Sequence, residues 1–198
     1  MRLETKRLIL RKPKLSDWKD LVEGLNDRKV VKNLKSVPYP YRKKNAIKYL
    51  KYAIKEWGKK NKNNYIFYIE LKSEKKVIGE TGLYWVSKEH SKCGTGSWIN
   101  RKYWRKGYIL EVKIPVLDFA FNELKLRKIG TSAYKGNKAS NNMSKKLGFK
   151  FEGIRKKSLV TLSDGKIHDD VLYGLFKKDW KKIRPKLVKQ LKAKIKNE

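Results

Sequence analysis

RKYWRKGYILE, residues 101–111, sets four basic side chains, two tyrosines and a tryptophan around one glycine. Before it stands GTGSWIN (94–100), with the composition of a strand; after it, ILEVKIPVLDFAFNEL (109–124) has the apolar content of a helix. A glycine at a strand-to-helix turn lets backbone N–H groups come close to an anion, and the helix N-terminus adds its positive dipole end. Arg101, Lys102, Arg105 and Lys106 add charge. Three readings fit these residues. One is a pyrophosphate cradle, and another is a tight left-handed turn beside solvated lysines. The third is an RNA patch with Tyr103, Trp104 and Tyr108 as stacking platforms.

Nearer the N-terminus, RLILR (7–11) alternates as a strand with Leu8 and Leu10 on one face. LSDWKDLVEGL follows as a helix that Ser16 or Asp17 can cap. After the proline-punctuated loop SVPYPY, a second helix carries Ile47, Leu50, Ala53, Ile54 and Trp57 at helical spacing and ends at Gly58. NYIFYIELK and KVIGETGLYWV read as an antiparallel hairpin turning at SEKK. Pro115 is expected to kink the helix after Gly107 or to delay its regular start. RKIGTSAY is a strand, ASNNMSKKLG a helix closed by Gly148, and the segments either side of SDGK a final hairpin. The order β-α-α-β-β-β-α-β-α-β-β is that of a mixed α/β domain around one sheet. From residue 181 to 198 a basic segment with Ile183, Leu187, Leu191 and Ile195 at spacings of three and four forms a C-terminal helix or tail beyond a domain of residues 1–180. It fits either an amphipathic helix docked on the domain or a tail for RNA, the ribosome or an anionic membrane.

The 198 residues carry a formal net charge of +33. Self-repulsion on that scale favours polyanionic surroundings such as RNA or phosphate ligands, unless the lysines simply reflect a lysine-rich proteome. Aromatics at 12% argue against disorder. The single cysteine, Cys93, excludes an internal disulfide framework. No metal site is expected, since His90 and His168 lack ligand spacing. With neither a leader-like apolar segment nor a run of membrane-spanning length, the protein is expected to be cytoplasmic.

WRKGYILE resembles the acyl-CoA pyrophosphate loop of the GNAT acetyltransferases, especially the subgroup of the RimJ and RimL ribosomal-protein N-terminal acetyltransferases. LETKRLILR, VPYPY, VIGETGLYW, GSWIN, NKASNNMSKKLGFKFEG and DGKIHDDVLYGLFKKDW resemble further pieces of that subgroup in the right order, over residues 2–180. The resemblance implies a GNAT-type, mostly antiparallel sheet with splayed central strands and helices on both faces. It implies acetyl-CoA as co-substrate, its pyrophosphate on the backbone of Arg105, Lys106, Gly107, Tyr108, Ile109 and Leu110. Trp98, Ile99 and Asn100 would line the pantetheine arm, pairing as an added strand would, with Asn137 and Ser140 near the thioester and Glu111 in helix-dipole and structural support. The chain departs from the family pattern at Ile109, Pro115 and Leu159, the last of which removes an acidic residue some relatives carry.

Acetyl transfer needs a neutral amine, a polarised carbonyl and a proton for the leaving thiolate. Ser140 is the first candidate donor and Ser144 the second; Glu80 and Asp169 are candidate bases, acting through water. A free α-amine is about one-tenth neutral at pH 7 against about 1 in 2,500 for a lysine. The expected acceptor is therefore a protein N-terminus, with ribosome or RNA contact through the basic surface and tail. A non-catalytic RNA- or ribosome-binding protein and an acetyltransferase for a small amine remain alternatives. The oligomeric state stays open between monomer and dimer.

Overall fold

The computed structural model describes residues 1–196. Eight strands form one sheet in the order β1-β2-β3-β4-β5-β6-β8-β7. The strands are β1 (Leu3–Glu4), β2 (Leu8–Arg11), β3 (Tyr65–Leu71), β4 (Lys76–Ser87), β5 (Lys92–Ile99), β6 (Lys128–Tyr134), β7 (Lys150–Val160) and β8 (Ile167–Phe176). Every pairing is antiparallel except β5 with β6. The helices are α1 (Trp18–Leu25), α2 (Arg28–Val31), α3 (Lys43–Gly58), α4 (Tyr108–Asp118), α5 (Lys138–Lys146) and α6 (Lys177–Lys196).

Alternation along the strands divides the core between the two sheet faces. Phe67 and Ile69 of β3 join Leu8 and Leu10 under α4 and α6, while Ile66 and Tyr68 face Leu21, Leu50 and Ala53 of α1 and α3. The buried face of α3 is centred on Ala46, Leu50, Ala53 and Trp57. Ile54, expected on that face, is turned outward, and Glu56 is buried in its stead with Lys59 and Asn64 as partners. Asp17 does not cap α1 with its side chain; its carboxylate instead takes the Arg11 guanidinium at 2.8 and 2.9 Å.

Pro115 neither delays α4, which starts at Tyr108, nor ends it. The irregularity falls one turn later, where Phe119–Glu123 widens to a π turn and Leu124 N–H reaches back five residues to Phe119 O at 3.0 Å. Helix α6 runs unbroken through residues 180 and 181 and docks on the domain: Trp180 and Leu187 are buried, and Ile183, Val188 and Leu191 pack against the core. The Trp180 indole N–H donates to Asp118 Oδ1 at 2.9 Å. The last two residues of the expected tail, 197 and 198, lie outside the described residues. No helix among the described residues is long and apolar enough to cross a membrane.

Candidate active site

The site begins where β5 and β6 part. They are paired only from Lys92↔Lys128 to Gly94↔Gly130. Beyond that, Thr131 Oγ1 still donates to Thr95 O at 3.0 Å, and then the strands separate into a fork. The forward edge of β5 is therefore open to an extended ligand as an edge strand is open to a peptide.

At the mouth of the fork lies the basic loop 101–107, between β5 and α4. Gly107 is the N-cap of α4 with φ +77°, a left-handed conformation that glycine adopts without the Cβ clash other residues meet. The first α-helical bond of α4 is Glu111 N–H to Gly107 O at 3.1 Å, so the turn before it presents N–H groups that the helix itself does not use. Two cations hold the loop from elsewhere in the chain. Arg7 Nη2 donates to Lys106 O at 2.9 Å, and Lys194 Nζ, from α6, donates to Arg105 O at 2.7 Å. Each carbonyl shares a planar trans peptide with the next residue's N–H. Fixing the carbonyls of Arg105 and Lys106 therefore turns the amides of Lys106 and Gly107 the opposite way. Arg7 is itself fixed by the buried Glu111, which accepts from the Arg7 Nε at 2.8 Å, the Arg7 N–H at 2.9 Å and Thr5 Oγ1 at 2.6 Å.

The stacking-platform reading of this loop does not fit the structure. Tyr103 and Tyr108 are buried, Tyr103 OH donates to Glu74, and of the three aromatics only Trp104 is exposed.

Of the expected pantetheine residues, Trp98 lays its ring beside Gly24 of α1 and Ile99 is in the core. Asn100 is buried, its Oδ1 accepting from Lys102 N–H. These side chains serve packing, and what β5 can offer a ligand is its backbone. Ile109 packs against the core and Leu110 lies in it. Asn137 caps α5 through Ser140 N–H, and Ser144 Oγ donates to Ser140 O at 3.0 Å. Asp169 accepts from Lys157 N–H at a break in the β7 register. Strands β5 and β6 separate it from Glu80, so the two expected bases do not meet.

Glu80 has a defined setting. On the α1/α3 face of β4, opposite Trp98, it is almost wholly buried. Its Oε1 accepts from Tyr49 OH and Tyr84 OH, both at 2.8 Å, and its Oε2 is buried without a hydrogen-bond partner. Burial pushes the carboxyl up to about 7, against the pull of the two phenols.

Sequence reasoning missed Arg7, Lys194, Lys113, Tyr49 and Tyr84. A signal existed for Tyr84, which lies four residues beyond Glu80 and so on the same strand face. The others act across 17 to 104 residues of sequence, where no local pattern speaks. No group of His, Cys, Asp and Glu that could hold a metal occurs among the described residues.

The family model for the acetyltransferase (GNAT) domain matches residues 7–150, and the chain belongs to that family. It is an acetyltransferase. The uncharacterized N-acetyltransferase YnaD of Bacillus subtilis is 27% identical over 182 residues, covering 91% of this chain and 99% of that one. The uncharacterized N-acetyltransferase YoaA of the same organism is 30% identical over 109 residues, 55% of this chain and 60% of its own length. Solved structures share the fold. A GNAT-family acetyltransferase from Bacillus anthracis superposes with a TM-score of 0.76 at 24% identity, covering 90% of this chain and 99% of that one. The ribosomal-protein-S5-alanine acetyltransferase of Vibrio fischeri gives 0.71 at 21% (91% and 98% covered). The microcin C7 self-immunity acetyltransferase MccE, in complex with acetyl-CoA and AMP, gives 0.75 at 17% (87% and 93% covered).

Proposed function

We propose that this protein transfers an acetyl group from acetyl-CoA to an amine by direct attack in a ternary complex, and that the acceptor is a protein N-terminal α-amine. The observation that carries the reading is Glu80, a buried carboxyl with one oxygen unpartnered, beside a strand whose forward edge is open. The residues fit acetyl-CoA. The amides around Gly107 would take the pyrophosphate, and the β5 edge would take the amide-bearing arm. That a fold neighbour is described with acetyl-CoA supports the donor, and the Vibrio fischeri enzyme supports a ribosomal-protein type of acceptor and a kinship with the RimJ/RimL subgroup.

In this reading the neutral amine attacks the thioester carbonyl, the C–N bond forms and the C–S bond breaks. The surplus proton on nitrogen passes to Glu80, whose raised affinity for protons suits a base working near neutrality. The formal charge of +33 holds bound amines toward their neutral form and repels polycationic acceptors. Contact with the ribosome through the basic surface, and action in the cytoplasm, belong to the same proposal.

The test is thiol release from acetyl-CoA with peptides beginning in Ala or Ser, compared with the same peptides N-terminally blocked but carrying lysine. Turnover confined to the free N-termini supports the reading, and acetylation confined to lysine side chains overturns it. Glu80→Gln should lower kcat about a hundredfold while leaving acetyl-CoA binding within about threefold.

A further inference from the structure

The face of the sheet beneath α4 is apolar except at the fork. There Thr81 of β4 and Thr95 and Ser97 of β5 place three hydroxyls together, Ser97 Oγ donating to Thr81 Oγ1 at 2.9 Å. Into this polar strip α4 lowers a lysine. Lys113 is buried, and its Nζ stands 2.8 Å from Thr95 Oγ1 and 3.2 Å from Gly96 O. These are the residues at which β5 leaves β6.

A buried ammonium is costly unless a counter-charge and full hydrogen bonding compensate it. No carboxylate pairs with Lys113 among the described residues, and the ionisable group that faces it is the Cys93 thiol on β5. Nor do its acceptors depend on it. Thr95 Oγ1 donates to Gly82 O at 2.6 Å, and with the Ser97 proton given to Thr81 Oγ1, Gly96 O still accepts from Thr81 Oγ1 at 3.3 Å. A methionine of similar length would fill the space and leave no acceptor unmatched. The fold gains little from the charge, which points to a ligand that needs it.

Position identifies the need. With the pyrophosphate at the Gly107 turn, a pantetheine arm laid along β5 runs from Asn100 toward the fork apex and brings its sulfur end to Thr95 and Gly96. Resting on the acetyl-transfer reading, we propose that Lys113 is the catalytic proton donor to the departing CoA thiolate. As the amine nitrogen bonds to the acetyl carbon and the C–S bond breaks, the sulfur keeps the bonding pair and takes a proton from Lys113 Nζ. Glu80 receives the proton lost by nitrogen. Solvent then takes one proton from Glu80 and returns one to Lys113, so the net reaction is thioester plus amine to amide plus thiol.

Burial brings Lys113 down to about 7, below the ordinary thiol near 8.5, so transfer to the thiolate runs downhill. The two groups lie on opposite faces of the sheet, Glu80 toward α1 and α3 and Lys113 beneath α4. The amine approaches from one face and the thiolate is quenched from the other.

The test compares wild type with Lys113→Met, using acetyl-CoA and the Ala- and Ser-initiated peptides. Expected is a tenfold to hundredfold fall in kcat, a KM for acetyl-CoA within about threefold, and loss of the alkaline limb by which wild-type kcat declines above neutrality. Melting temperature checks the fold, and calorimetric titration of acetyl-CoA checks the site. A kcat within threefold of wild type with the alkaline limb intact overturns the assignment, as does a parallel loss of acetyl-CoA binding, which would make Lys113 a packing or binding group. Wild-type protein that binds acetyl-CoA but releases no thiol to these peptides, free amino acids or water removes the acetyl-transfer reading, and the role of Lys113 with it.

Discussion

Lys194, near the end of the last helix, donates its Nζ proton to the carbonyl of Arg105 at 2.7 Å, 89 residues away in sequence, and its side chain lies over Gly107. The C-terminal helix is thus a structural part of the loop that would bind phosphate. Lys194→Ala frees the Arg105 carbonyl and lets the peptide that carries the Lys106 amide rotate. The expected result is a severalfold to tenfold loss of acetyl-CoA affinity with kcat unchanged, read by calorimetry and steady-state kinetics. Unchanged affinity would show that the loop holds its geometry without α6.

Glu111 joins the first strands to α4, since its carboxylate is fully buried and takes Thr5, the Arg7 backbone and the Arg7 guanidinium. Glu111→Ala leaves these donors unmatched beneath a helix. Breaking a buried pair on one side costs about 3–5 kcal/mol, which in a chain of this size lowers the melting temperature by roughly 10 °C. Thermal denaturation followed by circular dichroism measures it. A change below about 2 °C would mean that solvent replaces the pair.

Glu80 makes stability depend on pH with a definite sign. Its folded-state carboxyl is raised from about 4.5 to about 7, so between those values the folded state holds a proton that the unfolded state has lost. Its contribution is fully present below pH 4.5 and is lost as pH rises through 7, a change of about 3 kcal/mol. Chemical denaturation of wild type and Glu80→Gln from pH 4.5 to 8 should give a difference that grows in favour of the glutamine variant with rising pH. Parallel curves would contradict the burial.

Much of the architecture was legible from local pattern. Leu8 and Leu10 alternate as β2 requires, SEKK turns the β3–β4 hairpin, and Gly148 ends α5 with φ +86°. The α3 face was misjudged at Ile54 because sheet packing, not apolarity, selects the buried stripe, and Glu56 is accommodated there by Lys59 and Asn64. Pro115 is expected to kink α4 or delay its start, but the helix runs through it from Tyr108 to Asp118, and the π turn at Phe119–Glu123 carries no sequence signal. For the site, the loop could be read from one glycine between strand and helix. The partners that give it a direction, Arg7 and Lys194, could not, because such contacts depend on which surfaces tertiary packing brings together. Lys113 is hidden for a related reason. In sequence it is one lysine among many, and only burial at the fork sets it apart.

Whether the Gly107 turn and the fork between β5 and β6 form an acetyl-CoA site is decided by calorimetric titration of acetyl-CoA at near-physiological salt. ATP serves as comparator, because so basic a protein attracts any polyphosphate. Gly107→Glu is the control, placing a side chain at φ +77° and a negative charge where the pyrophosphate would lie. Micromolar binding of acetyl-CoA is expected, at least tenfold tighter than ATP and abolished in the variant. Binding no tighter than ATP, or unaffected by Gly107→Glu, would contradict it.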